Sequence, residues 1–290
     1  MIDEIVLEMQ RVAYKEADPS GQEILLLSLA DLRRIASDHS LSLREAELIA
    51  LDNRILPLRY QRNLGTVGWE GQSKLLRATV AVVGAGGLGG WIVEGLARMG
   101  VGRLVIIDFD AVEENNLNRQ LLATEDTVGR PKAELAVARV AQVNAATEVV
   151  AHHVWADASN LGALLASAQV AVDALDTLPA RLELQDAAAS LGIPLVHGAI
   201  AGYVGQVMTI YPQDAGLHAL YGRGEVPTRG IETQWGNPTA TPMMVAAWQI
   251  HEVVKLIIGR GETLRNRMLL FDAESGTVDS LQIGDSTSPT

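Results

Sequence analysis

Residues 79–110 read TVAVVGAGGLGGWIVEGLARMGVGRLVIIDFD, and this stretch determines how the rest of the chain is arranged. Thr79–Val83 is a short apolar run rich in β-branched residues, which predicts a buried strand. A glycine pattern of the form G-x-G-x-x-G follows, and apolar residues at helical spacing over Leu88–Met99 predict a helix. Leu104–Ile107 predicts a second strand, which Asp108 closes.

This order of strand, glycine turn, helix, strand and acid is typical of a mononucleotide-binding βαβ unit. Gly84, Gly86 and Gly89 allow a tight turn and close approach of the backbone to a ligand. The helix N-terminus attracts phosphate, and Asp108 is placed to accept hydrogen bonds from ribose hydroxyls. The unit alone does not distinguish NAD from ATP, because both use it.

Composition excludes several classes of function. The chain has 290 residues, a net charge of −12 and no cysteine. Such an acidic chain disfavours a nucleic-acid partner. Disulfides, cysteine-bound zinc and a cysteine nucleophile are impossible. The acidic start MIDEIVLEMQ does not resemble a secretory signal, and residues 80–101 are too rich in glycine and charge for a membrane span, so we expect a cytoplasmic protein without membrane contact.

Alternating strands and helices continue after the βαβ unit. Strands are predicted over Glu148–His152 and Val170–Val172, with a helix between them. From His197 the pattern changes to an antiparallel pair of strands, and Arg267–Phe271 with Val278–Ile283 predicts a final hairpin. The fold class is therefore α/β, a Rossmann-like, doubly wound, mainly parallel sheet extended by antiparallel strands, with a small N-terminal helical appendage.

Three regions divide the chain. Residues 1–58 form the helical appendage, in which Ser28 and Ser42 are predicted helix caps. Its acidic residues argue against a DNA-binding helix-turn-helix, so docking or dimer packing is favoured. Residues 59–283 form the nucleotide-binding domain, and residues 284–290 are predicted to be a disordered tail.

The long helix predicted over Thr239–Ile258 is apolar nearly all round. Its polar residues form one narrow stripe of Gln249, Glu252 and Lys255. A helix of this kind is buried in a core or in an oligomer interface. Residues 212–237 before it lack periodicity, and long irregular segments of this kind are usually functional.

The motifs together resemble the MoeB/ThiF/HesA adenylyltransferases, the bacterial relatives of ubiquitin-activating enzymes. The resemblance covers about residues 59–283 and rests on motifs in family order: RYQRN, GAGGLGG, DFD followed by NNLNRQ, GRPK, DALDT with Arg181, and GNPTATPMMVAAWQIHEVVKLIIG.

The resemblance implies a set of residues around ATP. Those expected to line the nucleotide are Gly84, Gly86, Gly87, Gly89, Asp108, Asp110, Asn116, Arg119, Lys132 and Arg181. For Asp110 a surface acid is the equal alternative. Arg119 and Lys132 are expected at the polyphosphate. Asp176 corresponds to the Mg²⁺ ligand, and a carboxylate with phosphate oxygens suits that ion. Arg62 corresponds to the arginine that family dimers insert into the partner's site.

The activity implied is adenylation of the C-terminal glycine of a small ubiquitin-like sulfur carrier that ends in Gly-Gly, with release of pyrophosphate. The catalytic set would be Arg62, Arg119, Lys132 and Asp176 in a homodimer. Many relatives carry two C-x-x-C pairs for zinc and a cysteine in the crossover loop. This chain lacks both, so we expect no zinc, no thioester or persulfide chemistry, and a separate sulfur donor.

Three alternatives remain open at this point. One is adenylation of a peptide, with recognition by the appendage. Another is a non-catalytic nucleotide-binding scaffold. The third is an NAD-dependent oxidoreductase, which would explain the βαβ unit but give no role to Arg119, Lys132 and Asp176.

Overall fold

The computed structural model describes residues 2–17, 21–222, 224, 226–227 and 230–283, so the predicted disordered tail lies outside the described residues. Eleven strands and eleven α-helices are found in this part of the chain. The strands are β1 Tyr14–Ala17, β2 Glu23–Leu27, β3 Ile55–Pro57, β4 Thr79–Val83, β5 Arg103–Ile107, β6 Glu148–His152, β7 Val170–Asp173, β8 Leu195–Ala201, β9 Val204–Ile210, β10 Arg267–Asp272 and β11 Thr277–Gln282. The helices are α1 Ile2–Val12, α2 Leu29–Asp38, α3 Leu43–Asp52, α4 Leu64–Arg77, α5 Gly89–Met99, α6 Lys132–Val143, α7 Leu161–Leu165, α8 Leu178–Ser190, α9 Leu217–Tyr221, α10 Glu232–Trp235 and α11 Ala240–Ile258.

Eight strands form the central sheet in the order β11-β10-β9-β8-β7-β4-β5-β6. The five from β8 to β6 run parallel to one another, and β8 to β11 pair antiparallel. This confirms the predicted fold class. The chain order reverses direction between β4 and β7, and the carboxyl ends of such neighbouring strands leave a crevice for a ligand.

Side chains alternate across the sheet and build two cores. Val80 and Val82 of β4 face a layer formed by α4, α5, α6 and α11. Ala81 and Val83 face the opposite layer, which contains α7, α8 and α9. A strand that is apolar at every position is expected where both faces are covered. The sequence TVAVV therefore reflects burial from two sides.

The N-terminal appendage contains strands as well as helices, so the expectation of a purely helical appendage was incomplete. Helices α2 and α3 are present and begin at the predicted caps, and Ser42 forms a capping box with Glu45. The added feature is a three-stranded sheet in the order β1-β2-β3. Its strands have four, five and three residues, too short to show a clear alternating pattern.

The appendage shares a hydrophobic cluster with the start of the central domain. Leu26 and Leu56 of its sheet pack with Tyr60, Leu64 and Leu76, which lie beyond the predicted boundary at residue 58. The two regions are therefore in direct contact through buried side chains. The division into domains at residue 58 remains a prediction.

The C-terminal helix α11 packs on α4, α5, β8 and β9. It ends at Gly259, whose φ of 69° places it in the left-handed region that glycine adopts without strain. Among the described helices, including this one, none is both long enough and apolar enough to cross a membrane.

Candidate active site

A cavity of about 530 Å³ opens at the carboxyl ends of β4, β5 and β7. The residues that follow each of these strands line it, because the ends of parallel strands meet at one edge of the sheet. Most of the predicted site residues are brought together here: Gly84, Gly86, Gly87, Asp108, Asp110, Asn116, Arg119, Lys132, Asp176 and Arg181.

The glycine turn after β4 fits against the backbone that follows β7. Gly84 has a φ of 96°, and a Cβ at this position would collide with the carbonyl oxygen of Ala174. Its N–H donates to the Ile107 carbonyl at 2.8 Å. Gly89 does not line the cavity, and a Cβ there would collide with the Gly84 carbonyl. Gly89 therefore allows α5 to pack closely against the turn, whereas Gly86 and Gly87 face the cavity.

Asp108 fixes the glycine turn as well as facing the cavity. One carboxylate oxygen accepts the Ala85 N–H at 2.6 Å, and the other accepts the Asp110 N–H at 2.7 Å. Burial raises the pKa of the Asp108 carboxyl above its usual value, while these two N–H donors and the nearby Lys132 act against that rise. Each oxygen keeps a further lone pair for a ligand hydroxyl.

Lys132 and Asp110 form an ion pair inside the cavity. The Nζ to Oδ2 distance is 2.9 Å, and Lys132 is only 6% exposed. The Lys132 N–H also donates to the Asp110 carbonyl at 2.9 Å. Asp110 is thus a partner of the buried lysine and not simply a surface acid. The ion pair therefore holds the Lys132 ammonium at the cavity wall before a phosphate binds.

The Asn-rich segment after β5 folds into a short 3₁₀ turn over Glu114–Asn116. Asn116 is buried and its Oδ1 accepts the Glu113 N–H at 3.1 Å, which closes the turn. Arg119 donates from Nη1 to the Asn115 carbonyl at 2.9 Å and to Asn118 Oδ1 at 2.8 Å. These bonds place the Arg119 guanidinium beside Gly87, with the positive charge facing the glycine turn.

Asp176 and Arg181 follow β7, in the segment that begins next to the glycine turn. Asp176 is exposed. Arg181 donates from Nη2 and Nε to the Leu175 carbonyl at 2.7 and 3.2 Å. Its guanidinium is therefore already used in fixing the backbone next to Asp176.

Arg62 lies outside the cavity in this single chain. It is exposed and is not among the described residues that line the site. The preceding Arg59 and Tyr60 are tied to the molecule instead: Arg59 donates to Asn144, and the Tyr60 hydroxyl donates to Glu47 Oε2 at 2.8 Å. In the RYQRN motif, Arg59 and Tyr60 thus anchor the segment, whereas Arg62 is exposed to solvent.

Two aromatic side chains, Phe109 and Trp155, also line the cavity and form an aromatic wall that was not predicted from the sequence. Phe109 and Trp155 pack edge to face with ring centroids 4.3 Å apart, and both line the site. They lie after neighbouring strands β5 and β6, so only the sheet order brings them together. The position of Phe109 directly after Asp108 was the sequence signal that could have placed this ring at the cavity. These rings add an apolar surface to a cavity that is also lined by charged side chains.

The described residues offer a metal ion separate side chains rather than a cluster of three or more ligands. They contain no group of three or more His, Asp or Glu side chains placed around a common point. At the cavity, the exposed Asp176 carboxylate is a hard oxygen donor next to basic residues that suit phosphate. This set fits Mg²⁺ bound jointly by one carboxylate and a substrate's phosphate oxygens.

The chain matches the ThiF family over residues 60–289. It is 40% identical over 229 residues to the SAMP-activating enzyme E1 of Haloferax volcanii, a match that covers 77% of this chain and 84% of the relative. It is 36% identical over 239 residues to the sulfur carrier protein adenylyltransferase of Thermus thermophilus, covering 78% of this chain and 86% of the relative.

The fold is also similar to that of solved structures. A structure of E. coli MccB with AMPCPP and MccA superimposes with a TM-score of 0.68, covering 91% of this chain and 81% of that one. The sequence identity is 20%, so this likeness concerns the fold alone.

Proposed function

Because this chain belongs to the ThiF family, we propose that it is an ATP-dependent adenylyltransferase that activates the C-terminal glycine carboxylate of a small ubiquitin-like sulfur carrier. The observation that carries the proposal is the convergence of Arg119, Lys132 and Asp176 on one cavity beside the glycine turn. An NAD-dependent oxidoreductase would need neither these charges nor their position. The names of the two similar enzymes, a SAMP-activating E1 and a sulfur carrier protein adenylyltransferase, support the same substrate class.

The cavity offers a separate surface to each part of ATP. The aromatic wall of Phe109 and Trp155 suits the adenine ring. Asp108 has free lone pairs for ribose hydroxyls, and the glycine turn with the N-terminus of α5 suits phosphate. Arg119 and Lys132 would then lie along the polyphosphate, where they reduce the repulsion between an incoming carboxylate and the α-phosphate.

The reaction needs alignment and positive charge more than it needs a base. The carboxylate oxygen of the carrier attacks the α-phosphorus, the bond to the bridging oxygen of pyrophosphate breaks, and an acyl-adenylate forms. Both reactants are already ionised, so no proton has to be removed. Bound Mg²⁺ would supply additional charge neutralisation at the phosphates, and Asp176 is the residue that would hold it.

The proposal includes a homodimer in which Arg62 of each chain completes the partner's site. The exposed position of Arg62, outside its own cavity, supports this arrangement. A twofold axis would make the exchange reciprocal. The proposal also includes a separate sulfur donor, because this chain has no cysteine to carry sulfur.

Pyrophosphate exchange tests the proposal. We expect ATP with Mg²⁺ to support exchange of labelled pyrophosphate into ATP only when a carrier ending in Gly-Gly is present. A carrier whose terminal glycine is deleted is the matched control and should give none. Binding of NAD without any ATP turnover would refute the proposal in favour of an oxidoreductase, and ATP binding without exchange would favour a non-catalytic scaffold.

A peptide substrate is the second candidate. The match to the MccB structure covers 91% of this chain. Residues 59–290 supply only 232 of 290 residues, or 80%, so the match includes part of the appendage. An appendage common to both folds is a reasonable place for substrate recognition. Exchange that depends on a peptide, and is insensitive to Gly-Gly carriers, would identify this alternative.

A further inference from the structure

A buried carboxylate lies three residues before Asp176 and takes no part in the proposed chemistry. Asp173, the last residue of β7, is fully buried. Its Oδ2 lies 2.7 Å from His197 Nδ1 and 3.8 Å from Arg181 Nε. Its Oδ1 accepts the Leu175 N–H at 3.0 Å. A buried charge with this many partners is costly unless the arrangement is complete, so its geometry is well defined.

The partners of Asp173 fix one residue of the backbone, Leu175. The Leu175 N–H donates to the Asp173 carboxylate. The Leu175 carbonyl accepts hydrogen bonds from Nε and Nη2 of Arg181. Asp173 and Arg181 therefore hold the two peptide units on either side of the Leu175 Cα atom. The next residue in the chain is Asp176.

His197 orients the carboxylate from the neighbouring strand β8. It is 1% exposed, and its Nε2 lies 3.0 Å from Gln206 Nε2 on β9. An amide nitrogen can only donate, so His197 Nε2 accepts and Nδ1 carries the proton that is donated to Asp173. Burial lowers the pKa of His197 below its usual value, even though Asp173 acts to raise it, and this agrees with a neutral imidazole.

We infer that Asp173, Arg181, His197 and Gln206, here called the Asp173 network, are positioning residues that hold the Asp176 carboxylate in place for a metal-bound nucleotide. The inference rests on the proposed function, because it assumes that Asp176 meets Mg²⁺ and ATP. The network acts through the Leu175 backbone, and Asp173, His197 and Gln206 lie behind the residues that line the cavity. It also gives Arg181 a role different from a direct phosphate contact.

The inference predicts a specific effect of removing the His197 donor. We expect His197→Leu to raise the Mg²⁺ concentration that half-saturates ATP binding by about tenfold, the lower end of the effect seen when groups behind a metal ligand are lost. His197→Asn should recover most of the wild-type value, because its Nδ2–H lies at the same distance along the side chain as His Nδ1. His251→Leu, at an exposed position on α11, is the matched control.

Titration calorimetry of ATP at several Mg²⁺ concentrations gives this readout without any carrier. Hydrogen exchange of the peptide containing Leu175 gives a second readout that needs neither ATP nor metal. We expect faster exchange at Leu175 in His197→Leu and near-normal exchange in His197→Asn. If His197→Leu does not fold, Asp173→Asn removes the charge at nearly constant volume and should show the same two changes.

Two results would be decisive against the inference and are separable from failure of the proposed function. A folded His197→Leu protein with unchanged Leu175 exchange would show that the network does not hold the loop. Faster exchange with an unchanged Mg²⁺ requirement would show that holding the loop does not affect Asp176. Wild-type protein that binds no ATP would instead refute the proposed function.

Discussion

Single side chains set the charge of the cavity, and two of the cations that line it, Lys132 and Arg119, are held differently. Lys132 is buried and paired with Asp110, whereas Arg119 is held by oxygen atoms of Asn115 and Asn118. A charged partner partly neutralises Lys132 before a ligand arrives, whereas neutral partners leave the full charge of Arg119 available to an anion. The cavity is therefore preorganised for negative charge at the position of the glycine turn.

The Asp176 carboxylate provides the sharpest test at this scale. We expect Asp176→Ala to reduce pyrophosphate exchange at least about 100-fold, because the charge stabilisation of the metal is lost. The melting temperature should change little, because the side chain is exposed and its removal leaves no cavity. The two quantities are measured by exchange assay and thermal unfolding on the same preparation.

The control for this prediction is Asp279→Ala, which removes an exposed carboxylate from β11, away from the cavity. It should leave exchange unchanged. Near-normal exchange with Mg²⁺ in Asp176→Ala would refute the role given to this residue.

The sequence predicted the location of those site residues that lie at or shortly after the end of a strand. Gly84 and Asp108 directly follow strands and Asp176 lies three residues after the end of β7, so their meeting at one sheet edge follows from strand order. Trp155 could not be found this way, because its contact with Phe109 depends on how far the segment after β6 folds back. The bond from Arg181 to Leu175 was also beyond the sequence, since it depends on the local path of the β7–α8 connection.

At the scale of elements, α11 has its polar stripe on the inside. Gln249 and Glu252 are fully buried, while Met243 and Trp248 on the other side are 42% and 38% exposed. Gln249 donates to the Asp173 carbonyl at 2.8 Å. Glu252 accepts from Thr209 Oγ1 at 2.6 Å and from the Leu264 N–H at 2.7 Å. The buried polar groups thus bind backbone and side chains that the sheet leaves free.

The sequence predicted this helix and its burial, but it could not show which side faces inward. Periodicity identifies a polar stripe, and the usual expectation turns such a stripe toward water. Here the nearby donors of Thr209 and Leu264 reverse that preference, because an unpaired buried N–H is more costly than an exposed methionine. This is a tertiary effect, and it is not visible in a single helix.

Glu252 should therefore matter more to stability than any exposed residue of α11. We expect Glu252→Ala to lower the free energy of unfolding by about 3 kcal/mol, since it leaves two buried donors without an acceptor and removes the partner of Lys255. Met243→Ala on the outer side should cost less than about 0.5 kcal/mol. Urea unfolding measures both changes in the free energy of unfolding, provided that its dependence on urea concentration is the same in the two variants. Similar unfolding midpoints for the two variants would contradict a stabilising role for the buried polar residues of α11.

At the scale of the whole molecule, two features of the surface are consistent with the proposed homodimer. The outer side of α11 exposes Met243 and Trp248, and Tyr203 in the β8–β9 turn is 55% exposed. Arg62 stands on the surface, while Arg59 and Tyr60 hold its segment firmly to the core. An exposed arginine on an anchored segment, outside the cavity of its own chain, suits the proposed role in a neighbouring chain.

A mixing experiment decides whether Arg62 acts across an interface. Arg62→Ala and Asp176→Ala chains are each expected to be inactive in pyrophosphate exchange. If Arg62 serves the partner's cavity, a mixed dimer contains one site with neither defect and one site with both. Activity should then return to about half that of a wild-type dimer for every mixed dimer formed, because one of two symmetric sites is complete.

The interpretation depends on showing that mixed dimers form, which differently tagged chains and sequential affinity capture can establish. Arg54→Ala is the matched control, because Arg54 is another exposed arginine and stacks on Trp69 outside the cavity. That variant alone should keep wild-type exchange. Mixed dimers that remain inactive would place Arg62 in its own chain's site or in no site, since complementation requires a guanidinium that crosses the twofold axis to reach the γ-phosphate.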